Sequence, residues 1–270
     1  MQPRTLRSRF VSSPKALPGQ RRLFCFPYAG GSAPVFAGWS ERLQPDAEVW
    51  AALPRGRGQR FRETTVETVE AMVEDYLWAL RDNLNLPFAF YGHSLGGLVA
   101  FEVARRLEAE GLPTPEHLFI GASAPPHYGL IHSKIGHLPD AEFVDVVQER
   151  YAGIPAAVLN EPELMELLLP VLRADFAAYE NYEFADTGSL SCPVTAFSGA
   201  EDRGIAPEVM AGWSQHTRGR FEMHTVPGDH FFLTVSKDFV LSTIQQNLRR
   251  LDRQIPASRH MILTTGLESA

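Results

Sequence analysis

Six short stretches of the chain are largely apolar and are bounded by glycine or proline: "RRLFCFPYA", "VWAALP", "FAFYGHS", "HLFIGASAP", "VTAFSGAED" and "FEMHTVPGDH". A strand with one wet face alternates apolar and polar residues, so runs apolar on both faces predict strands buried on both sides, as in a parallel sheet. Between them the apolar spacing changes to that of a helix. Over 66–84 it places Val69, Val73, Leu77 and Leu80 on one stripe, and over 95–107 Leu98, Val99, Val103 and Leu107. Strands alternating with helices predict an α/β fold, a mostly parallel central sheet with helices on both faces.

The rhythm breaks between Tyr128 and Phe184, where no strand pattern occurs and two helices are predicted. The first has Asp140 as N-cap and ends before Gly153, with Phe143, Val144, Val147 and Tyr151 on one face. The second begins near Asn160 and carries Leu164, Leu167, Leu168, Val171, Leu172 and Phe176, with Pro170 expected to kink or split it. An apolar helical insertion between sheet strands, about 128–184, reads as a lid; the alternative is an ordinary helical excursion packed on the sheet. Residues 1–20, rich in Arg, Ser and Pro, read as a flexible lead-in, 21–252 as the folded domain, and 253–270 as a flexible tail.

Composition narrows the function classes. At 270 residues the chain supports one large core. A net charge of −7 argues against nonspecific binding to nucleic acid or to an anionic membrane, both of which need a dominant positive field. No apolar run approaches the ~20 residues of a membrane span, and the arginines near the N-terminus precede no apolar signal-peptide core, so a soluble, cytoplasmic protein is expected. Cys25 and Cys192 read as two reduced structural thiols. No metal-ligand spacing occurs; His127, His132 and His137 read as loop histidines, because no cysteine or carboxylate accompanies them at ligand spacing.

The chemistry centres on "YGHSLGG", where Gly92-His93-Ser94-Leu95-Gly96 matches G-x-S-x-G. Alone the pattern is weak, since roughly one chain in ten of this length matches it by chance. Its context strengthens it: a buried-strand pattern precedes Ser94 and a helix pattern follows, so the serine falls on a sharp strand-to-helix turn with glycine on either side. A serine hydroxyl needs a base, and the base an orienting acid, in the chain order Ser, then Asp or Glu, then His. Asp202 follows the strand "VTAFSG", with Glu201 and Asp229 as competing carboxylates. His230 lies in the Gly-containing loop after the final strand, whereas His216 falls in a helical pattern and His224 within a strand. His93 adjoins Ser94 but projects away from it along the chain. An oxyanion hole would combine the Leu95 amide with one from "FPYAGGSAPVF", Ala29 leading and Tyr28 second.

Taken in order, "FCFPYAGGSAPVF", "LPRGRGQRFRE", "YGHSLGGLVAFEVARRL", "GAED" and "GDHFF" resemble the type II thioesterases that accompany modular polyketide synthases and nonribosomal peptide synthetases, over about Arg21 to Leu251. The resemblance implies an α/β-hydrolase fold with a helical lid. It implies hydrolysis of acyl groups from the phosphopantetheine thiol of acyl or peptidyl carrier proteins, with no cofactor of the enzyme's own. It also implies Ser94 as nucleophile, Asp202 as acid, His230 as base, and Ala29 and Leu95 as oxyanion amides. A monomer is expected. The family's usual "PGRG" stands here as "PRGRG", with Arg55 inserted, and the cluster Arg55, Arg57, Arg60 and Arg62 reads either as a patch for an acidic carrier protein or as a solvated, locally paired surface. A small-molecule esterase or lipase and an acyltransferase are the alternatives within the same chemistry.

Overall fold

A computed structural model describes residues 5–13, 21–151, 153–154 and 156–254. Among them seven strands form one sheet: β1 (Phe10–Ser12), β2 (Arg22–Phe26), β3 (Glu48–Ala52), β4 (Phe88–His93), β5 (Leu118–Gly121), β6 (Val194–Gly199) and β7 (Phe221–Val226), in the order β1-β3-β2-β4-β5-β6-β7. All neighbours pair in parallel except β1, which runs antiparallel to β3 with Phe10 opposite Ala52. The six strands expected from apolar runs all form. Five of them are buried because both faces are covered, as the alternation along β2 and β4 makes plain, whereas the edge strand β7 is only partly buried up to Val226. Phe24, Phe26, Phe88 and Phe90 point into a core shared with helices α2 (Val69–Leu80) and α3 (Leu95–Ala109). Leu23, Cys25, Ala89 and Tyr91 point into the opposite core with α1 (Trp39–Leu43) and α8 (Leu233–Gln254), while the short α7 (Pro207–Met210) lies between β6 and β7 in the chain.

The edge strand β1 corrects the reading of residues 1–20 as a loose lead-in. Phe10 is fully buried, and its ring meets Phe24 at 5.0 Å, Tyr76 at 5.4 Å and Phe26 at 5.9 Å. A three-residue strand flanked by Arg and Ser shows no periodicity to read; tertiary packing of one aromatic fixes it. At the other end α8 continues through Gln254, past the expected start of a tail at 253. The expectations for residues 1–4, 14–20 and 255–270 lie outside the described residues.

Over 128–184 the described chain contains no strand and carries α4 (Asp140–Tyr151), α5 (Ala156–Leu159) and α6 (Pro162–Glu180). Phe143, Val147, Ile154 and Leu172 bury themselves in a separate small core there. Asp140 is the first residue of α4, and Phe143 N bonds the carbonyl of Pro139, one residue earlier than the expected cap. Pro170 does not split α6, which runs through it for 19 residues. The proline deprives the Glu166 carbonyl of its amide partner, and both Glu166 and Pro170 are exposed, where water can bond that carbonyl instead. The short helix α5, which precedes α6, has no sequence signal strong enough to predict it. Among the described residues no helix is long and apolar enough to cross a membrane.

Candidate active site

The turn from β4 to α3 is as sharp as the glycine pattern demands. Ser94 adopts φ 53°, ψ −123°, a region that side-chain-bearing residues rarely occupy. A Cβ on Gly92 would lie 2.2 Å from the Gly96 carbonyl oxygen, and one on Gly96 would lie 2.2 Å from that of Phe26. Glycine at both positions lets α3 start hard against the ends of β4 and β2. Ser94 N still donates to Gly121 O at 2.8 Å, so the serine is held by the sheet while its side chain stands above it.

The Ser94 hydroxyl lies 2.9 Å from His230 Nε2, and His230 Nδ1 lies 2.9 Å from Asp202 Oδ2. A carboxylate only accepts, so Nδ1 carries the proton and Nε2 offers its lone pair to the serine O–H. Burial pushes the Asp202 carboxyl upward, but bonds from His230, Ile205 N and Gly204 N outweigh it and hold it below the usual carboxylate range. The two backbone amides donate to Asp202 Oδ1 at 2.8 Å (Gly204) and 3.0 Å (Ile205), which leaves Oδ2 for the imidazole. The competing carboxylates are used elsewhere. Glu201 accepts from Gly228 N at 3.0 Å and Asp229 from Phe231 N at 2.8 Å, so both brace the loop that carries His230. Of the other histidines, His216 pairs with His127 at 2.6 Å.

His93 does not touch Ser94, yet it belongs to the assembly. Its Nε2 donates to the His230 carbonyl at 2.7 Å, and its Nδ1 accepts from the Tyr91 hydroxyl at 3.2 Å. Burial, reinforced by His230, pushes its pKa down to about 3, which keeps the ring neutral. The sequence shows His93 only as a neighbour of Ser94; its contact with a residue 137 positions away is a product of the fold.

Ser94 opens on a cavity beneath the helical insertion. Tyr28 and Ala29 form one wall, Leu95 and Phe231 another, and Val147, Tyr151, Leu172, Phe176 and Tyr179 of the helical insertion roof it. The insertion therefore covers the site, as a lid does, and its lining is mostly apolar. The Tyr151 ring lies 4.9 Å from that of His230 and shields the imidazole from water. Leu95 N belongs to the first turn of α3, whose amides have no acceptor within the helix, and Ala29 is on the facing loop. Among the described residues no cluster of His, Cys, Asp or Glu is arranged to hold a metal ion.

The arginine cluster turns mostly inward. Arg60 bonds Asp75 and Glu63 and also the Leu53 carbonyl, and Arg55 bonds Asp75. Arg57 pairs with Asp175 on α6 at 2.8 Å; only Arg62 stays at the surface, over the ring of exposed Phe61.

The profile of the Thioesterase domain family matches residues 21–248, and the chain belongs to that family, hydrolases of thioesters with the α/β-hydrolase fold. It is 35% identical over 240 residues to the gramicidin S biosynthesis protein GrsT of Aneurinibacillus migulanus, covering 89% of this chain and 93% of GrsT. The structure of the RedJ thioesterase from the prodiginine pathway in Streptomyces coelicolor matches with a TM-score of 0.78 at 37% identity, over 87% of this chain and 95% of that one. BorB, a type II thioesterase from the borrelidin biosynthetic cluster, matches with a TM-score of 0.79 at 31% identity, over 89% and 96%.

Proposed function

We propose that this enzyme hydrolyses acyl groups from the phosphopantetheine thiol of acyl or peptidyl carrier proteins, clearing stalled or wrong units from a polyketide or nonribosomal peptide assembly line. The observation that carries the reading is the continuous hydrogen-bonded line from Ser94 Oγ through His230 to Asp202, opening on an apolar cavity under a helical lid. The relatives named above, from gramicidin S, prodiginine and borrelidin biosynthesis, support the assembly-line setting. The enzyme would work as a cytoplasmic monomer with no cofactor of its own, the pantetheine arm arriving on the substrate.

In this reading Ser94 Oγ attacks the thioester carbonyl carbon while His230 Nε2 takes its proton. The carbonyl π pair moves to oxygen, where the Leu95 and Ala29 amides stabilise the charge. Asp202 keeps the ring oriented and favours the imidazolium. Collapse of the intermediate breaks the C–S bond, and His230 returns its proton to the departing thiolate. Water then gives a proton to His230 and its oxygen to the acyl carbon, releasing the carboxylic acid and restoring Ser94 O–H. The thiol leaves as part of the carrier, so the apolar cavity has to hold only the acyl group.

The test is intact-mass measurement of carrier proteins loaded with acetyl, propionyl, malonyl and longer acyl groups. The wild type is expected to regenerate the free pantetheine thiol, and Ser94→Ala to leave the carriers loaded. Wild-type rates in Ser94→Ala would end the proposal. Hydrolysis of p-nitrophenyl esters with no action on any loaded carrier would replace it with a small-molecule esterase.

A further inference from the structure

Arg57 belongs to the "PRGRG" stretch, and the hydrolytic mechanism has no task for it. It is nearly buried, and so is its partner Asp175, whose side chain is 4% exposed on the lid helix α6. Asp175 Oδ2 accepts from two donors, Arg57 Nη2 at 2.8 Å and the Gly30 backbone amide at 2.7 Å. Arg57 Nε in turn donates to the Gly31 carbonyl at 2.6 Å. The contacts form a closed ring: lid carboxylate to Gly30 N–H, along the backbone to Gly31 C=O, to guanidinium, and back to the carboxylate.

The backbone so held is the tight turn after β2. Gly31 N bonds the Tyr28 carbonyl at 2.8 Å, closing the turn around Ala29. Gly30 has φ +74°, and a Cβ there would lie 2.7 Å from Leu172 Cδ2 of α6, so the lid helix rests directly on the turn. None of these bonds uses the Ala29 N–H, which is left for another acceptor. Charge-assisted bonds that are shielded from water fix geometry more firmly than the same bonds at the surface.

The geometry points to Asp175 and Arg57 as positioning residues that set the aim of the Ala29 amide and make that aim depend on the lid being docked. This rests on the reading of Ala29 as an oxyanion donor. An amide must lie within a few tenths of an ångström of the developing oxyanion to stabilise it, so a turn released from its clamp loses transition-state binding more than substrate binding. With α6 withdrawn, Gly30 N–H loses its acceptor and Arg57 its counter-charge. The oxyanion site is then assembled only beneath a closed roof, where water is excluded.

The experiment compares wild type with Asp175→Ala, Asp175→Asn and Arg57→Gln by two independent readouts. On an acyl-N-acetylcysteamine thioester, Asp175→Ala is expected to lower kcat by about tenfold or more with KM changed less than about twofold. Asp175→Asn, whose amide oxygen still accepts from Gly30, should recover part of that loss. In amide hydrogen exchange, the segment 28–31 should exchange about tenfold faster in Asp175→Ala than in wild type. Should Asp175→Ala fail to fold, Asp175→Asn and Arg57→Gln carry both readouts. Unchanged exchange at 28–31 overturns the clamp, whatever the enzyme does. Faster exchange with unchanged kcat overturns the positioning role. A wild type inactive on every thioester overturns the proposed function instead, and the exchange result still decides whether the clamp exists.

Discussion

Three carboxylates crowd the loops around His230, and hydrogen bonding separates their roles. Asp202 has one oxygen occupied by two backbone amides and the other on the imidazole; Glu201 and Asp229 spend theirs on the loop backbone. An amide in place of Asp202 leaves the ring free to adopt the tautomer that carries its proton on Nε2, where it cannot accept one from Ser94. Asp202→Asn is therefore expected to lower kcat by about 10³- to 10⁴-fold, as the same change does in other Ser-His-Asp enzymes. Asp229→Asn, which still accepts from Phe231 N, should change kcat by less than about threefold. Steady-state thiol release measures both, and equal losses in the two variants would reverse the assignment. Chain order and loop position favour Asp202 in the sequence. What the sequence does not show is how the three acids are bonded, because those partners are fixed by where the β6 and β7 loops meet.

At the scale of elements, the strand-turn-helix unit around Ser94 was readable because its signals are local even where the constraint behind them is not. β4 is apolar on both faces, α3 has a helical stripe, and the two glycines mark where backbones must touch. Gly96 illustrates how narrow that tolerance is. A methyl group there meets carbonyl oxygens of Phe26 at 2.2 Å and Pro27 at 2.5 Å, rigid backbone in both cases. To accommodate Gly96→Ala, α3 must retreat from β2, carrying the Leu95 amide away from the serine. The substitution is expected to lower kcat/KM by at least about 100-fold and to destabilise the fold by roughly 1–3 kcal/mol, read from thiol release and from denaturant unfolding. Near-wild-type values in both would contradict the close approach. The elements that escaped the sequence are those without local cause. β1 exists because Phe10 fits between aromatic rings of β2 and α2, and the clamp from α6 to the turn after β2 joins Gly30 to a residue 145 positions later. The apolar stripe of α6 announced a helix buried along its second half, while Leu164 and Leu167 of the same stripe stay exposed, and neither its continuity through Pro170 nor its footing on Gly30 is encoded in that stripe.

Across the whole molecule, the buried histidines make stability depend on pH in a way the surface charges do not. His93 and His117 are each almost wholly buried, and burial is the main cause that lowers both to about 3 from an ordinary 6.5; burial, with His127 beside it, lowers His216 to about 4. His117 stacks on Phe119 at 4.1 Å and bonds Thr195 Oγ1 at 2.8 Å; Glu222 nearby favours its charged form, while Arg250 and Arg220 oppose it. Because the folded values lie below the unfolded one, the unfolded chain takes up protons first as the pH drops. Stability that is complete above about 6.5 is therefore lost progressively as the pH falls toward about 3, by up to about 1.4 kcal/mol per pH unit for each such histidine. Asp202 and Asp75, held below the usual carboxylate range, also lose their stabilising contribution on acidification, but only once the pH reaches the range in which unfolded carboxylates protonate. The interval between pH 6.5 and 5 thus isolates the histidines. Urea unfolding is expected to show the free energy falling across that interval, and His117→Gln, which keeps a donor for Thr195 far from the cavity, should flatten the fall by about a third, with His93 and His216 supplying the rest. An unchanged slope in His117→Gln would mean that His117 is protonated in the folded protein, its ring reached by water that the packing between β5 and β6 otherwise excludes.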